Sequence, residues 1–381
     1  MVAFISCSKE ANDTPTSSTI IPVSFDRQFP GAMLSGCQSS DGSFFALMDV
    51  VPPYSTRQLV KVDPAGVLIP GFAPSWPLGV IQGPAAATDD GGCISLANDD
   101  HLIIAHMDAS GAVVSSRNYN FPGWNTPRSI IRTSTSTWVV SGYNQYSVTT
   151  DSSIYLLQDP WAMAVNMDGD SLWMRTYPGP HFRWVISSTG LSNGDVLITS
   201  SYDTNSGSQL NAIRLSQQGN LLWDHDLGPI IQYGLRACEA PNGDLIIAGM
   251  RSVGPSDLDG VLYATDAGGA LLWQHSFGSA DKEEWVSDVA MDGSDRIVVV
   301  GHTSPTSAYD EDRLYAAGFN ASGNMLWENY TADNDTNSYG LNIFPTTPGH
   351  FATLGNGNPH VNGQVHWFTF LKGISSGGEF E

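Results

Sequence analysis

Apolar residues in this chain come in short runs of five to seven, and the runs are bounded by clusters of Gly, Asn, Asp or Ser. Asn193-Gly194-Asp195 leads into Val-Leu-Ile-Thr-Ser, Asn242-Gly243-Asp244 into Leu-Ile-Ile-Ala-Gly, and the stretch from Asp292 to Asp295 into Arg-Ile-Val-Val-Val-Gly. Such runs read as strands, because β-branched residues fit a pleated sheet and Gly, Asn and Asp accept the backbone of tight hairpins. No stretch keeps a helical period, so the pattern predicts an all-β chain.

The pattern repeats. Leu-Trp recurs at Trp173, Trp223, Trp273 and Trp327, at intervals of 50, 50 and 54 residues. Each tryptophan follows a turn: Asp168-Gly169-Asp170, Gln218-Gly219-Asn220, Gly268-Gly269 and Ser322-Gly323-Asn324. The unit of a turn and an apolar run recurs in phase with it, more weakly at Asp41-Gly42, Gly91-Gly92, Thr135 to Thr137 and Pro348-Gly349, which makes seven copies. The fifth copy reads as four strands, over residues 233–239, 245–250, 260–265 and 270–276. Four strands in about 50 residues match the blade of a β-propeller. The expected fold is therefore an all-β, seven-bladed β-propeller of four-stranded antiparallel blades, spanning residues 20–373. The last copy lacks a fourth strand and runs into a Gly/Ser-rich stretch, residues 374–381, expected as a flexible tail. The segment from Ile20 to Phe29 stands where a fourth strand belongs, so pairing it with the last copy would close the ring and remove its open edges.

Composition sharpens this. The 381 residues, which as a bare length suggest two or three domains, become one ring of seven units. With 38 acidic against 16 basic residues the net charge is −22, and no Lys/Arg cluster stands out. That field repels a phosphate backbone or an anionic lipid surface, so nucleic acid is not the expected partner. The longest apolar stretches are strand-sized, well short of the roughly 20 residues of a membrane-spanning helix.

Phe4-Ile5-Ser6-Cys7 resembles the lipobox of a bacterial lipoprotein signal, and Cys-Ser-Lys-Glu resembles the start of many Bacteroidetes surface lipoproteins. The resemblance implies cleavage before Cys7, lipid on its thiol, and a polar run to about Ser18 as a tether. Residues 1–19 are then a truncated signal and flexible tether, and the protein is extracytoplasmic, at the outer membrane or cell surface. The segment departs from the pattern in having no basic start and only six residues before the cysteine, where a signal core needs roughly 7 to 15. Among Cys37, Cys93 and Cys238 no CxxC or His-flanked spacing occurs, so no structural metal is expected. Cys37 and Cys238 fall at equivalent repeat positions and read as small buried hydrophobes.

The turn and Leu-Trp signature, as in Asp266-Ala-Gly-Gly-Ala-Leu-Leu-Trp273, resembles the tryptophan-docking repeat of PQQ-like propellers over about residues 20–373. The resemblance implies that Trp173, Trp223, Trp273 and Trp327 pack between neighbouring blades as core, each indole N–H meeting a carbonyl. The first two copies carry Val67-Leu68 and Val113-Val114 instead. PQQ-dependent members use a Ca²⁺, a catalytic Asp and, in many, a vicinal disulfide. This chain has no adjacent cysteines and no interpretable catalytic cluster, so it reads as a non-enzymatic relative with no cofactor.

Candidate chemistry falls in three places. The histidines show no HxH or HExxH spacing; His225 and His275 are repeat-equivalent, two residues after Trp223 and Trp273, and are expected to be solvated. Acidic clusters at Asp99-Asp100, Asp203 with Asn205, Asp257 with Asp259, Asp310-Glu311-Asp312, and Asp333 with Asp335 offer oxygen ligands for Ca²⁺, yet none has the twelve-residue EF-hand pattern. They read as solvated turn carboxylates. Aligned innermost strands put Trp184, Tyr233, Trp285 and Tyr339 at one position, near the channel entrance. Three residues on come Ser187, Arg236, Asp288 and Asn342, with Ser35, Ala85 and Ser129 in the other blades. Arg236 and Asp288, on adjacent blades, are expected to form a channel-lining ion pair or to orient a small polar ligand at the channel mouth. On the same face the third copy carries the longest insertion, Tyr143 to Asp159, with Tyr143, Tyr146 and Tyr155 expected on a loop.

The functional expectation is a lipid-anchored binding or scaffolding module for a protein partner or glycan, touching the membrane only through its lipid. The rivals are a Ca²⁺-dependent polysaccharide hydrolase or lyase using loop-borne acids, and a subunit of a surface filament or secretion machine.

Overall fold

The computed structural model describes residues 6–7, 27–30 and, apart from short loop stretches such as 50–56, 75–80 and 306–311, residues 32–380. It is a seven-bladed β-propeller of antiparallel blades with three or four strands each. Strands are lettered A to D from the channel outward. Blade 1 has Ala32–Gln38, Phe44–Asp49 and Arg57–Val62, with a single bridge from Val62 to Leu68 beyond them. Blade 2 has Ile81–Ala87, Cys93–Asn98, Leu102–Met107 and Val113–Tyr119; blade 3 has Trp124–Ser134, Thr137–Thr149, Ile154–Val165 and Ser171–Thr176. Blade 4 has Trp184–Gly190, Val196–Thr204, Gly207–Leu215 and Leu221–Pro229; blade 5 has Arg236–Glu239, Leu245–Gly254, Asp257–Thr265 and Leu271–Phe277. Blade 6 has Lys282–Met291, Ile297–Pro305, Arg313–Phe319 and Met325–Tyr330; blade 7 has Ser338–Pro345, Phe351–Gly357 and Phe368–Ile374.

The fourth strand of blade 7 comes from the other end of the chain. Arg27–Pro30 pairs antiparallel with Phe368–Ile374, Arg27 opposite Leu371 and Pro30 opposite Phe368, so the ring closes as the sequence pattern predicts.

The strands read as unbroken apolar runs because both faces of a blade are covered. Seven hydrophobic clusters fill the seven seams, one between each pair of neighbours. The closing seam sets Phe44, Ala46 and Met48 of blade 1 against Phe344, Leu354 and Leu371 of blade 7. Phe44 and Phe344 meet with ring centroids 5.4 Å apart. Cys37 and Cys238 are buried and in no disulfide, in keeping with their reading as small hydrophobes.

The C–D turns carry the repeat with the least variation. At Asp63, Asp108, Asn166, Ser216, Asp266, Asn320 and Ser375 a side-chain oxygen accepts the amide of the residue four further on, over 2.8 to 3.2 Å. The fourth residue of every such turn is a glycine at positive φ: Gly66, Gly111, Gly169, Gly219, Gly269, Gly323 and Gly378. This short polar side chain closing its own turn is the mechanism by which Asp, Asn and Ser favour turns.

The tryptophans use these glycines. Trp173, Trp223, Trp273 and Trp327 lie against Gly219, Gly269, Gly323 and Gly378 of the following blade so closely that a Cβ there would come within 3.0 Å of the ring. Trp173 Nε1 donates to Gln217 O at 2.8 Å and Trp223 Nε1 to Ala267 O at 3.0 Å. All four are half-buried rather than core, since strand D is the outermost strand and covers only one face of each indole. His225 stacks on Trp223 with centroids 5.3 Å apart and His275 lies beside Trp273 at 5.2 Å; His225 is exposed, as expected, and His275 is half-buried.

Gly378 revises the expected tail. Strand C of blade 7 runs to Ile374, Ser375 to Glu379 makes the seventh C–D turn, and Phe380 bridges back to Ile374 and packs on the last seam. Residues 375–380 are part of the ring, because Trp327 needs the same glycine turn that the other three tryptophans find. Gly378→Val is expected to lower the denaturant midpoint, by about 1–3 kcal/mol, from a side chain forced into left-handed backbone and into the indole. Equilibrium unfolding followed by far-UV circular dichroism checks this, and an unchanged midpoint would return residues 375–380 to the status of an appendage.

Candidate functional site

Among the described residues strand A is an edge strand in every blade but the third, where Ser6–Cys7 pairs with it in parallel; elsewhere nothing continues its ladder on the channel side, and its channel-facing amides need other partners. In six blades it carries a register shift directly before the aligned ring residue: between Met33 and Ser35, Gln82 and Ala85, Pro127 and Ser129, Val185 and Ser187, Val286 and Asp288, and Gly340 and Asn342. All seven ring residues, Arg236 included, are buried. Asn342 Oδ1 accepts from Gly36 N at 3.0 Å, and Asp288 Oδ2 accepts from Ile343 N at 2.9 Å. In both cases the side chain reaches the amide one residue past the ring position of the next blade. Thr189 Oγ1 donates to Ala237 O at 3.0 Å, and Ser188 Oγ to Ser129 Oγ at 2.9 Å, across two further seams.

The ring is thus a set of stitches between blades, and the expected ion pair is corrected. Asp288 spends its second oxygen on Val289 N, at 2.8 Å, while Arg236 Nη1 donates to Leu235 O at 2.8 Å. An amide with no ladder partner claims Asp288 ahead of the cation.

Trp285 and Tyr339 are brought together by His302. Trp285 stacks on the imidazole at 5.5 Å and 10°, and Tyr339 of the next blade meets it edge-on at 4.7 Å and 78°. Burial between the rings pushes the His302 pKa down to about 4, with Asp312 only partly opposing it. The Trp285 indole donates to Glu283 Oε2 at 3.1 Å. Trp184 sits at the same strand position in blade 4, with Phe182 edge-on at 4.7 Å, as a separate aromatic pair. Tyr233 lies outside the described residues, as do Asp99, Asp100, Asp310, Glu311, Asp333 and Asp335.

The insertion from Tyr143 to Asp159 is a hairpin, not a loop. Strands B and C of blade 3 stay paired from Trp138 opposite Val165 to Thr149 opposite Ile154, because the insertion lengthens both strands equally and their ladder simply continues. Tyr143 is buried, accepts from Arg128 Nη2 at 3.0 Å and lies under that guanidinium. Tyr146 donates to Asp159 Oδ2 at 2.6 Å, which pushes its pKa up to about 12. Tyr155 stands in strand C opposite Val148. Two of the three tyrosines are therefore committed internally.

A carboxyl escaped the sequence reading. Glu284, only 2% exposed, is pushed up to about 8, chiefly by burial, with Asp259 and Glu328 adding to it against the amide of Ser279 and the charge of Lys282. Asp259 is raised too, by burial and by Asp257. Blade 4 shows what this position otherwise holds. The residue before Trp184 is Arg183, also 2% exposed, which bonds Asp224 at 2.7 Å and Asn211 at 3.3 Å. Aligned on the Leu-Trp signature, Glu284, Tyr315 and Glu328 replace Arg183, Asn211 and Asp224, so a cation has become an acid beside an acid. The Arg-to-Glu reversal immediately before equivalent tryptophans is legible in the sequence once the copies are aligned one residue further out. Among the described residues no group of three His, Cys, Asp or Glu side chains is arranged to hold a metal ion, and no helix is long and apolar enough to cross a membrane.

No protein-family model matches the chain, and no curated protein matches it. Solved structures do. Prolyl oligopeptidase B from Galerina marginata, bound to a 25mer macrocyclization substrate, aligns with a TM-score of 0.53 at 10% identity, over 94% of this chain and 50% of that one. The β-propeller domain of the Trilobed protease from Pyrococcus furiosus aligns with a TM-score of 0.48 at 10% identity, over 96% of each chain. A protein of unknown function from Bacteroides caccae aligns with a TM-score of 0.41 at 14% identity, over 64% of this chain and 81% of that one. These similarities are of fold: the chain is a β-propeller, an architecture often used as a binding or scaffold module.

The raised pKa of Glu284 has a definite sign. A carboxyl that holds its proton more tightly when folded contributes stability below its ordinary pKa of 4.5 and loses it as pH rises to about 8. Wild-type thermal midpoints are expected to fall by several degrees between these limits, and Glu284→Gln to flatten that fall and to exceed wild type at alkaline pH. Parallel melting series across pH check it; parallel curves for the two proteins would remove Glu284 as the cause.

Proposed function

We propose that this protein is an extracytoplasmic binding module, held at the outer membrane or cell surface by a lipid on Cys7, that presents its propeller mouth to a protein partner or glycan. The observation that carries this reading is the set of Trp285, His302 and Tyr339, half-buried rings fixed across the seam of blades 6 and 7. Flat faces held by a rigid scaffold bind sugar rings or partner side chains without a large ordering cost, since their orientation is already set. The neighbouring polar groups favour recognition over chemistry: His302 is neutral, Glu283 holds the Trp285 indole, and Asp288 is spent on amides. A net charge of −22 restricts the partner to neutral or cationic surfaces.

Trp285→Ala and Tyr339→Ala are each expected to weaken binding by about tenfold or more, the range of a truncated aromatic anchor, with little change in folding. A neutral-glycan array and a pull-down from envelope extract, read against wild type, check this; retention of every captured ligand by both variants would move the site elsewhere. Cys7→Ser is expected to shift the protein from the membrane to the soluble fraction, and continued sedimentation with membranes would dismiss the anchor.

Glu284 beside Asp259 favours a second reading, a polysaccharide hydrolase or lyase, because a carboxyl pushed up to about 8, with a second whose pKa is also raised, is suited to general-acid work. Sugar release by wild type that is abolished in Glu284→Gln would decide for it. A melting curve that Ca²⁺ and EDTA leave unmoved would count against its Ca²⁺-dependent form.

A further inference from the structure

Ser6–Cys7 forms a two-residue strand that runs parallel to strand A of blade 3, Ser6 opposite Ser129 and Cys7 opposite Ile130. It also approaches the innermost strands of blades 1, 2 and 4, which places it within the channel. This is strand addition: a backbone pairs with the one edge that a closed propeller still exposes.

Two features of the ring explain why it occurs at blade 3. The first is a missing stitch. Asn342 and Asp288 meet the amide one past the ring position in the next blade, at Gly36 and Ile343. The corresponding residue of blade 3 is Ile130, and the side chain of blade 2 that would reach it is Ala85, which has no acceptor. The second is room. The ring residues of blades 1 to 4 are Ser35, Ala85, Ser129 and Ser187, all small, while blades 5 to 7 carry Arg236, Asp288 and Asn342. The four small-residue blades are the ones that the strand approaches. Ser141, Ser188 and Ser129 bond one another in a buried chain at 3.1 and 2.9 Å, so their hydroxyls do not compete for the incoming backbone.

We propose that the channel-facing edge of blade 3 at Ser129 and Ile130 is a docking site for an extended peptide strand, occupied in cis by the segment containing Ser6 and Cys7. This does not rest on the binding role of the mouth. It does set the two fates of Cys7 against each other, since a lipidated Cys7 at a membrane leaves the channel edge unoccupied.

The test keeps the full chain. The double variant Ser6→Pro, Cys7→Pro has no amides to pair with and cannot continue a strand. Hydrogen exchange at the Ile130 amide is expected to speed up at least tenfold in it, while Val140, in the strand behind, is unchanged. A labelled synthetic peptide of residues 1–10, with serine in place of the cysteine, is expected to bind this variant, restore Ile130 protection and bind wild type at least tenfold more weakly. Adding Ala85→Asn, which supplies the acceptor that Asn342 supplies to Gly36, is expected to protect Ile130 and to block the peptide. The exchange comparison between wild type and the double variant stands even if the protein with this third substitution fails to fold. Unchanged exchange at Ile130 in the proline variant would overturn the proposal, and so would equal peptide binding to wild type and variant.

Discussion

A blade with two apolar faces cannot fold alone, and the structure follows from that constraint. Each four-stranded sheet buries one face against the blade before it and the other against the blade after it, which is why there are seven clusters for seven seams. Sheets sharing both neighbours in this way have only one arrangement without an exposed face, a closed ring. The docked tryptophans, the glycine turns beneath them and the carboxylate and amide stitches of the inner strands refine the same seams at three radii.

Much of this was legible in the sequence because burial on both faces leaves a plain signature: unbroken runs such as Leu-Ile-Ile-Ala-Gly-Met, punctuated by turns at a fixed period. The closing strand was legible from what the seventh copy lacked. The end of the ring was not. Ser375-Ser-Gly-Gly378 looks like linker by composition, and only the requirement of Trp327 for a glycine turn shows it to be the seventh copy. The hairpin holding Tyr143 and Tyr146 was misjudged because an insertion that lengthens two paired strands equally has the same length signature as a loop.

The candidate site was legible as a set of positions, but the bonding at those positions was not. Alignment placed Trp285 and Tyr339 at a common rim and Asp288 and Asn342 in a common ring. That His302 would join the first pair, and that backbone amides rather than Arg236 would claim Asp288, depends on an edge strand's unmet donors, which no side-chain pattern records. The contrast between Arg183 with Asp224 and Glu284 with Glu328 makes the same point electrostatically: one architecture accommodates an ion pair in blade 4 and a retained proton in blade 6.

The pairing of Arg27–Pro30 with Phe368–Ile374 also governs how the molecule is made. Synthesis delivers the closing strand early and its partner near the end, so Arg27–Pro30 waits unpaired while six blades assemble. The last contact to form is among the most distant in sequence, and its loop-closure entropy is met only when every intermediate seam is in place. The propeller's cooperativity is in this sense temporal as well as spatial: an unfinished chain carries an unsealed edge at each end, and neither is protected until the other arrives.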